Sequence, residues 1–384
     1  MKNVRGNNME QEQEKKQEKK LPDYIVIFVV LTLLAIGLIM ILSASSIRSY
    51  NLYDDSYFLF RNQLLWTVIG IGFMFIFMKV DYHFWNRHAR LILLGCLGLL
   101  VLVLIPGVGR VAGGSQRWLV IGPVGLQPSE ISKVGFVIYV ANFLARKQEK
   151  IGSFFRGVIP PLIVFSLVFL LILLEPDLGT GVTIAGTFFV ILFAAGTKIR
   201  HLLFLSSASI PLFLYFVMGE SYRRQRLMAF LDPWSDPLDT GYHIIQSLIA
   251  LGTGGLFGVG LGGSRQKFLY LPEPGTDFIF AVLGEEFGLL GALVVLALYF
   301  VLSWRGFKIA LSAPDMFGSL LAVGMTSMIV LQAVINIGVV TSSMPITGIT
   351  LPFISYGGTS LVIMLSGVGI LLNISCSRDK RGET

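Results

Sequence analysis

One stretch concentrates the residues that could do chemistry: LPEPGTDFIFAVLGEE, residues 271–286. It places Asp277 where a long polar loop gives way to an apolar segment, with Glu285 and Glu286 about two helical turns deeper. An acid near a bilayer centre costs roughly 2.5–3.5 kcal/mol on insertion scales, so it marks a functional cavity or a paired charge. Pro272 and Pro274 fix the entry into a helix, because proline suits a helix start and not its interior. At about 100° per residue, Ala281 and Gly284 fall on the Asp277 face, while Glu285 lies about 80° around and roughly 12 Å further along. Small residues beneath an acid leave room for a ligand. The pattern predicts the floor of a site.

Other constellations could complete it. The string GGSQRWLVIGPVGLQPSEISK (113–133) puts Arg117 and Trp118 on a glycine-rich loop, and Glu130 and Lys133 three residues apart in an apolar segment. An Arg beside a Trp suits a phosphate next to a sugar or lipid face; membrane-interface anchoring is the plainer alternative. Glu130 and Lys133 share a helical face and can neutralise each other, either at a site or as a structural ion pair. EPDLGTG (175–181) offers Glu175 and Asp177 before a helix start, where ordinary N-capping is the competing reading. Arg223, Arg224 and Arg226, with Arg265 and Lys267 later in the same loop, would ring the site with positive charge. Such a ring could hold a leaving pyrophosphate or meet anionic lipid head groups. GVGLGG (258–263) matches G-x-G-x-x-G but lacks the βαβ context of a dinucleotide site, so close packing or a membrane-level loop is expected. His83, His88, His201 and His243 show no metal-ligand spacing and receive no role. In MPITGITLPFISYGGTSL (344–361), prolines and glycines predict a kinked helix beside a cavity or tight helix packing.

The elements that must position these residues follow from composition. The chain has 384 residues, 54% hydrophobic and 14% charged, where a soluble protein carries about 25% charged. This excludes the soluble classes and predicts an all-α polytopic membrane protein. The net charge of +7 is read through its distribution, and no nucleic-acid partner is expected. Cys96 and Cys376 lie far apart in or beside apolar segments, which argues against a disulfide framework or metal site. Residues 1–24 read as a disordered cytoplasmic tail, 25–375 as one membrane domain and 376–384 as a second cytoplasmic tail. Ser-Ala-Ser after the first apolar run faintly resembles a cleavage site, but the run is too long and reads as an uncleaved span. Ten spans are predicted near 25–45, 63–79, 91–106, 129–146, 158–174, 180–196, 200–218, 278–303, 317–340 and 352–374. With both termini cytoplasmic, 20 of the 30 basic residues fall on the inner side. The same threading puts every unusual loop outside: 107–127, 175–179, 219–277 between spans 7 and 8, and 341–351. The third is long but not composed like disorder, so interfacial or re-entrant helices lining a cavity are expected there.

Together SQRWL, LQPSEISK, EPDLGT, FLDPWSDPLDTGYHIIQSLIALGTGG, SRQKFLYLPEPGTDFIFAVLGEE and LPFISYGGTS, in this order, resemble the bacterial SEDS family (shape, elongation, division and sporulation) from about residue 25 to 375. PEPGTDFIF, where elongation-type members show a His-Thr-Asp step, and MPITGITLPFISYGG are closer to the division and sporulation branch. The resemblance implies a ten-span glycosyltransferase in the bacterial cytoplasmic membrane. Its extracytoplasmic active site would polymerise lipid II into peptidoglycan for a division septum or spore cortex. It implies that Asp277 is the essential acid, that Arg117 and Trp118 belong to the first outer-loop motif, and that Glu130 and Lys133 belong to the fourth-span motif. A class B penicillin-binding protein and other cell-wall machinery proteins are the implied partners. In that chemistry Asp277 would serve as general base or as ligand of a divalent cation (Mg or Mn), and no organic cofactor is expected. Arg117, Arg223, Arg224, Arg265 and Lys267 would stabilise the leaving group; Glu175, Asp177 and Glu285 complete the candidate binding residues. A transporter of lipid-linked precursors and a non-catalytic scaffold are the competing functions.

Overall fold

The computed structural model describes residues 21–377 apart from 113–114, 123, 220 and 269. The expected tails, 1–24 and 376–384, fall mostly outside the described residues. Twelve α-helices carry the fold: α1 (Tyr24–Tyr53), α2 (Phe58–Lys79), α3 (Tyr82–Leu104), α4 (Pro128–Arg146), α5 (Ile159–Leu174), α6 (Leu178–Ala194), α7 (Ile199–Met218), α8 (Ser221–Leu231), α9 (Tyr242–Gly254), α10 (Ile279–Leu311), α11 (Met316–Val340) and α12 (Gly358–Cys376). Among the described residues eight helices are long and apolar enough to cross a membrane, α5 being so together with the π-helical turn Phe154–Val158 that leads into it. Two more coincide with expected spans: α6 is apolar but has 17 residues, and α4 carries Glu130 and Lys133. Helix starts follow the local chemistry. Asp23, Asp81, Asp177 and Asp315 cap α1, α3, α6 and α11 through side chains that accept backbone N–H bonds, and Pro128 opens α4. The last helix begins at Gly358 rather than near 352, because 352–357 turns before entering it.

Of the eight long apolar helices, α11 and α12 are the most enclosed and α7 is the least. α11 packs against α4, α6, α10 and α12, and α12 against α2. Between α3 and α4 the chain forms a small antiparallel sheet that the sequence did not suggest: β1 (Gly109–Ala112), β2 (Ser115–Ile121) and β3 (Val124–Leu126), in that order. Arg110 pairs with Trp118 and Leu119 with Leu126.

The glycine-rich run of the long loop has a structural task. α10 is broken at Gly288, whose φ of 68° and ψ of −167° leave the helical region. Only a residue without Cβ takes that conformation without strain. The freed groups are paired by the 255–260 backbone: Val259 and Gly260 donate to the carbonyls of Glu285 and Glu286 at 3.0 and 3.1 Å, and Leu289 and Leu290 donate to Gly255 and Leu256 at 2.9 and 3.2 Å. An unpaired backbone group at membrane depth costs several kcal/mol, so the break requires this partner. GVGLGG is therefore a packing element, and among the described residues no βαβ unit surrounds it.

Candidate active site

Asp277 lies one residue before the N-cap of α10, half-buried. Its backbone is anchored by α11: Asn336 donates through Nδ2 to the carbonyls of Asp277 (2.8 Å) and Ile349 (2.7 Å). One turn earlier, Gln332 donates to the Thr350 carbonyl at 3.0 Å. Ser355 Oγ donates to the Thr276 carbonyl (2.6 Å) and the Tyr356 amide to that of Gly275 (2.8 Å). These bonds join the 275–277 turn to the 346–356 segment. Gln332 and Asn336 were not singled out from the sequence, though two amides at i, i+4 in an apolar helix were a legible signal.

Burial pushes the Asp277 carboxyl up to about 6; the Glu273 charge adds to this, Asp177 does so more weakly, and Arg226 and Arg117 oppose it. Glu273 itself is held below the usual range. Burial works upward on it, but the Arg48 guanidinium prevails, with one bond at 2.6 Å. His243, given no role from spacing, stands beside the site: its ring stacks on Phe278 at 5.7 Å, and burial and Arg226 lower its pKa.

The expected cations separate into distinct places. Arg117, on β2, donates through Nε to the Glu175 carbonyl at 2.9 Å and through Nη2 to the Pro176 carbonyl. Trp118 is its strand neighbour, so the side chains leave opposite faces; the indole packs over Gly125. Arg223 donates to the Phe216 carbonyl at 3.3 Å, and Arg224 is exposed. Arg226 donates to the Ile346 carbonyl at 3.2 Å and bears electrostatically on Asp277. Arg265 points outward while its amide donates to Glu285 at 2.9 Å. Lys267 is buried, donating to Glu286 (3.1 Å), Ser43 (3.0 Å) and the Gly262 carbonyl (2.7 Å). Glu285 accepts from Ser264 Oγ and the Arg265 and Gln266 amides, which fastens the loop to α10.

Glu130 and Lys133 form a buried pair at 2.9 Å. Lys133 also donates to Gln332 (2.6 Å), and Ser360 donates to Glu130 (2.8 Å), so the pair ties α4 to α11 and α12. Asp177 caps α6 and accepts from Thr180, Gln127 and Ser129. Glu175 is fully buried, and neither carboxyl oxygen makes a well-formed hydrogen bond, although Ser129 approaches. Burial lifts its pKa to about 8, aided by Asp177 and opposed by Arg117.

Beside this cluster lies a cavity of about 360 Å³ between α6, α8, α11 and the 344–347 segment. Its wall is apolar, with Leu178, Val182, Leu331 and Ile335, except where Arg223 and Arg226 enter it. No group of three or more His, Cys, Asp or Glu able to hold a metal occurs among the described residues. Glu273 is paired with Arg48 and Asp177 accepts from several donors, so among the described residues neither is an open ligand beside Asp277.

Comparison with known proteins agrees with this architecture. Residues 24–380 match the family described as "Cell cycle protein" (FtsW, RodA and SpoVE). The chain is 52% identical over 359 residues to stage V sporulation protein E of Bacillus subtilis, covering 93% of this chain and 98% of that protein. It is 42% identical over 353 residues to the probable peptidoglycan glycosyltransferase FtsW of Geobacter metallireducens, covering 92% and 94%. Among solved structures, a chain of a peptidoglycan synthase complex described as coordinating polymerization and crosslinking superposes with a TM-score of 0.77 at 29% identity, covering 94% of this chain and 99% of that one. The rod shape determining protein RodA of Thermus thermophilus superposes with a TM-score of 0.70 at 29% identity, covering 94% and 98%. The chain is thus a polytopic membrane protein that belongs to the FtsW/RodA/SpoVE family of cell cycle proteins, the SEDS group its motifs resemble.

Proposed function

We propose that this chain is a peptidoglycan glycosyltransferase that polymerises lipid II at the outer face of the cytoplasmic membrane, for a division septum or spore cortex. The observation that carries the reading is the apolar cavity with two arginines in its wall, beside a half-buried carboxyl whose pKa is lifted to about 6. A polyprenyl chain suits the apolar wall and a diphosphate suits the arginines. A carboxylate with a pKa just below the working pH suits the proton of an attacking sugar hydroxyl. The acceptor 4-hydroxyl attacks C1 of the donor; the new C–O bond forms as the bond to phosphate breaks. The proton passes to Asp277, and the electron pair leaves on the diphosphate.

Arg117 and Arg223 supply positive charge around that group, and the Glu130–Lys133 pair and Glu175 act through the packing that holds the site. A divalent cation could reach Asp277 with the substrate phosphates, with Asp277 as one ligand; no step here depends on it. The reading places ten spans in one membrane domain over 25–375, with the 219–277 loop outside. It pairs the chain with a class B penicillin-binding protein, in line with its likeness to a chain of a polymerizing and crosslinking complex.

The test is glycan synthesis from lipid II by the purified protein with its transpeptidase partner, beside Asp277→Asn. A ladder lost in the variant, with insertion and yield preserved, is expected. An intact ladder from Asp277→Asn refutes the assignment. Lipid II crossing sealed vesicles without a ladder would instead indicate a transporter.

A further inference from the structure

The cations around Asp277 are not equivalent. Arg117 is engaged with two backbone carbonyls through two different nitrogens. Arg224 and Arg265 are exposed, and Lys267 is fixed in a buried ion pair. Arg226 differs on three counts. It enters the wall of the apolar cavity, which of the other cations only Arg223 does among the described residues. It is the stronger of the two cationic influences on Asp277. Its bond to the Ile346 carbonyl orients a planar guanidinium at the cavity wall.

Gly348, two residues beyond Ile346, joins these facts. Its φ of +73° disfavours any side chain, and a Cβ built on it would lie 3.6 Å from Asp277 Oδ2 and 3.9 Å from Arg226 Nη1. One substrate atom above this glycine is therefore in contact range of the acid and the cation together. Resting on the polymerase reading above, we propose that Arg226 is a second catalytic residue, binding the leaving diphosphate beside Asp277, and that Gly348 keeps the space between them open for the reacting carbon. As C1–O cleaves, the oxygen that takes the electron pair is stabilised by N–H donation from Arg226, with no proton transferred from it. The acceptor's proton goes to Asp277. A guanidinium suits this task better than an ammonium, because its fork matches two phosphate oxygens.

The experiment measures two quantities on the purified full-length chain: binding of undecaprenyl diphosphate, and the rate of glycan synthesis with the partner present. Arg226→Gln is expected to weaken diphosphate binding at least tenfold and lower kcat/KM about 100-fold. Arg226→Lys should fall between it and the parent in both. Asp277→Asn should lose synthesis yet bind the diphosphate. Gly348→Ala should lower kcat while binding persists, since the space filled belongs to the reacting carbon; its thermal unfolding is read alongside. Arg226 variants that bind and polymerise within twofold of the parent overturn the proposal. Where Arg226→Gln does not fold, an Arg226→Lys protein unchanged in both quantities overturns it as well. Normal synthesis by Asp277→Asn would remove Asp277 as the base, whereas no synthesis by the parent chain would remove the polymerase reading itself, and in both cases diphosphate binding still reports on Arg226 separately.

Discussion

Asp277 and Glu285 come from one motif, eight residues apart, and meet opposite surroundings. Glu285 is 2% exposed and accepts from a hydroxyl and two backbone amides, so its charge is satisfied by the protein. Asp277 is anchored through its backbone carbonyl, and among the described residues its carboxylate oxygens accept no hydrogen bond. It feels Glu273 and Asp177 on one side and Arg226 and Arg117 on the other. The difference teaches that a carboxylate in a membrane protein is recognised as functional by what the protein leaves unsatisfied. Glu285 holds a loop to a broken helix; Asp277 remains open to a ligand.

The sharpest way to break this comparison is to neutralise each acid in turn. Asp277→Asn should cost about 10²–10⁴ in polymerisation rate with little change in thermal unfolding. Glu285→Gln should do the reverse, losing about 2–4 kcal/mol of stability because buried amide donors lose their charged acceptor, while the folded fraction stays active. Matching losses in both assays for both variants would erase the distinction.

The buried Glu130–Lys133 pair extends the Glu285 side. Lys133→Met should destabilise by about 3–5 kcal/mol, because it leaves Glu130 uncompensated. Glu130→Gln combined with Lys133→Met should recover part of that loss. Melting curves of the three proteins decide it; a double variant no better than Lys133→Met rejects a structural pair.

Glu175 sharpens the comparison through pH. Its pKa is raised in the fold to about 8, so its stabilising contribution is full below the ordinary value of 4.5 and is lost progressively up to about 8. Glu175→Gln, which stays neutral, should match the parent at pH 4.5 and exceed it by up to about 4 kcal/mol near pH 8. Asp277 acts on rate instead: as a base it must be ionised, so synthesis should fall to half near pH 6 and keep falling as pH drops. An acid limb centred near pH 4 would count against it. The smallest effect is expected at Arg265, whose side chain points outward: Arg265→Ala should leave the rate within about twofold and stability within about 0.5 kcal/mol.

Much of the scaffold was legible. Each of the expected spans begins or ends within a few residues of a helix end, since hydropathy and Asp and Pro helix starts act over one or two turns. The first helix runs on to Tyr53, because a helix does not stop where apolarity does. The long loop does contain helices, as its amphipathic stretch suggested, and α8 does reach a cavity wall. Less was legible around the site. Arg226 and Lys267 look alike as members of one basic loop, yet one enters the cavity wall and the other is buried against Glu286. Asn336 lies 59 residues from the acid it anchors, and the small sheet that aims Arg117 at the 175–176 turn sits in a loop with weak alternation.

Helical, membrane-spanning character and the acid at a loop-to-helix boundary are written locally, in runs of apolar residues and their flanks. The fate of each charge is not. It depends on desolvation and on Coulomb terms that change steeply over a few ångströms. Those distances arise where α11 brings the 275–277 turn, the 346–350 segment and α8 together, a meeting of chain segments far apart in sequence.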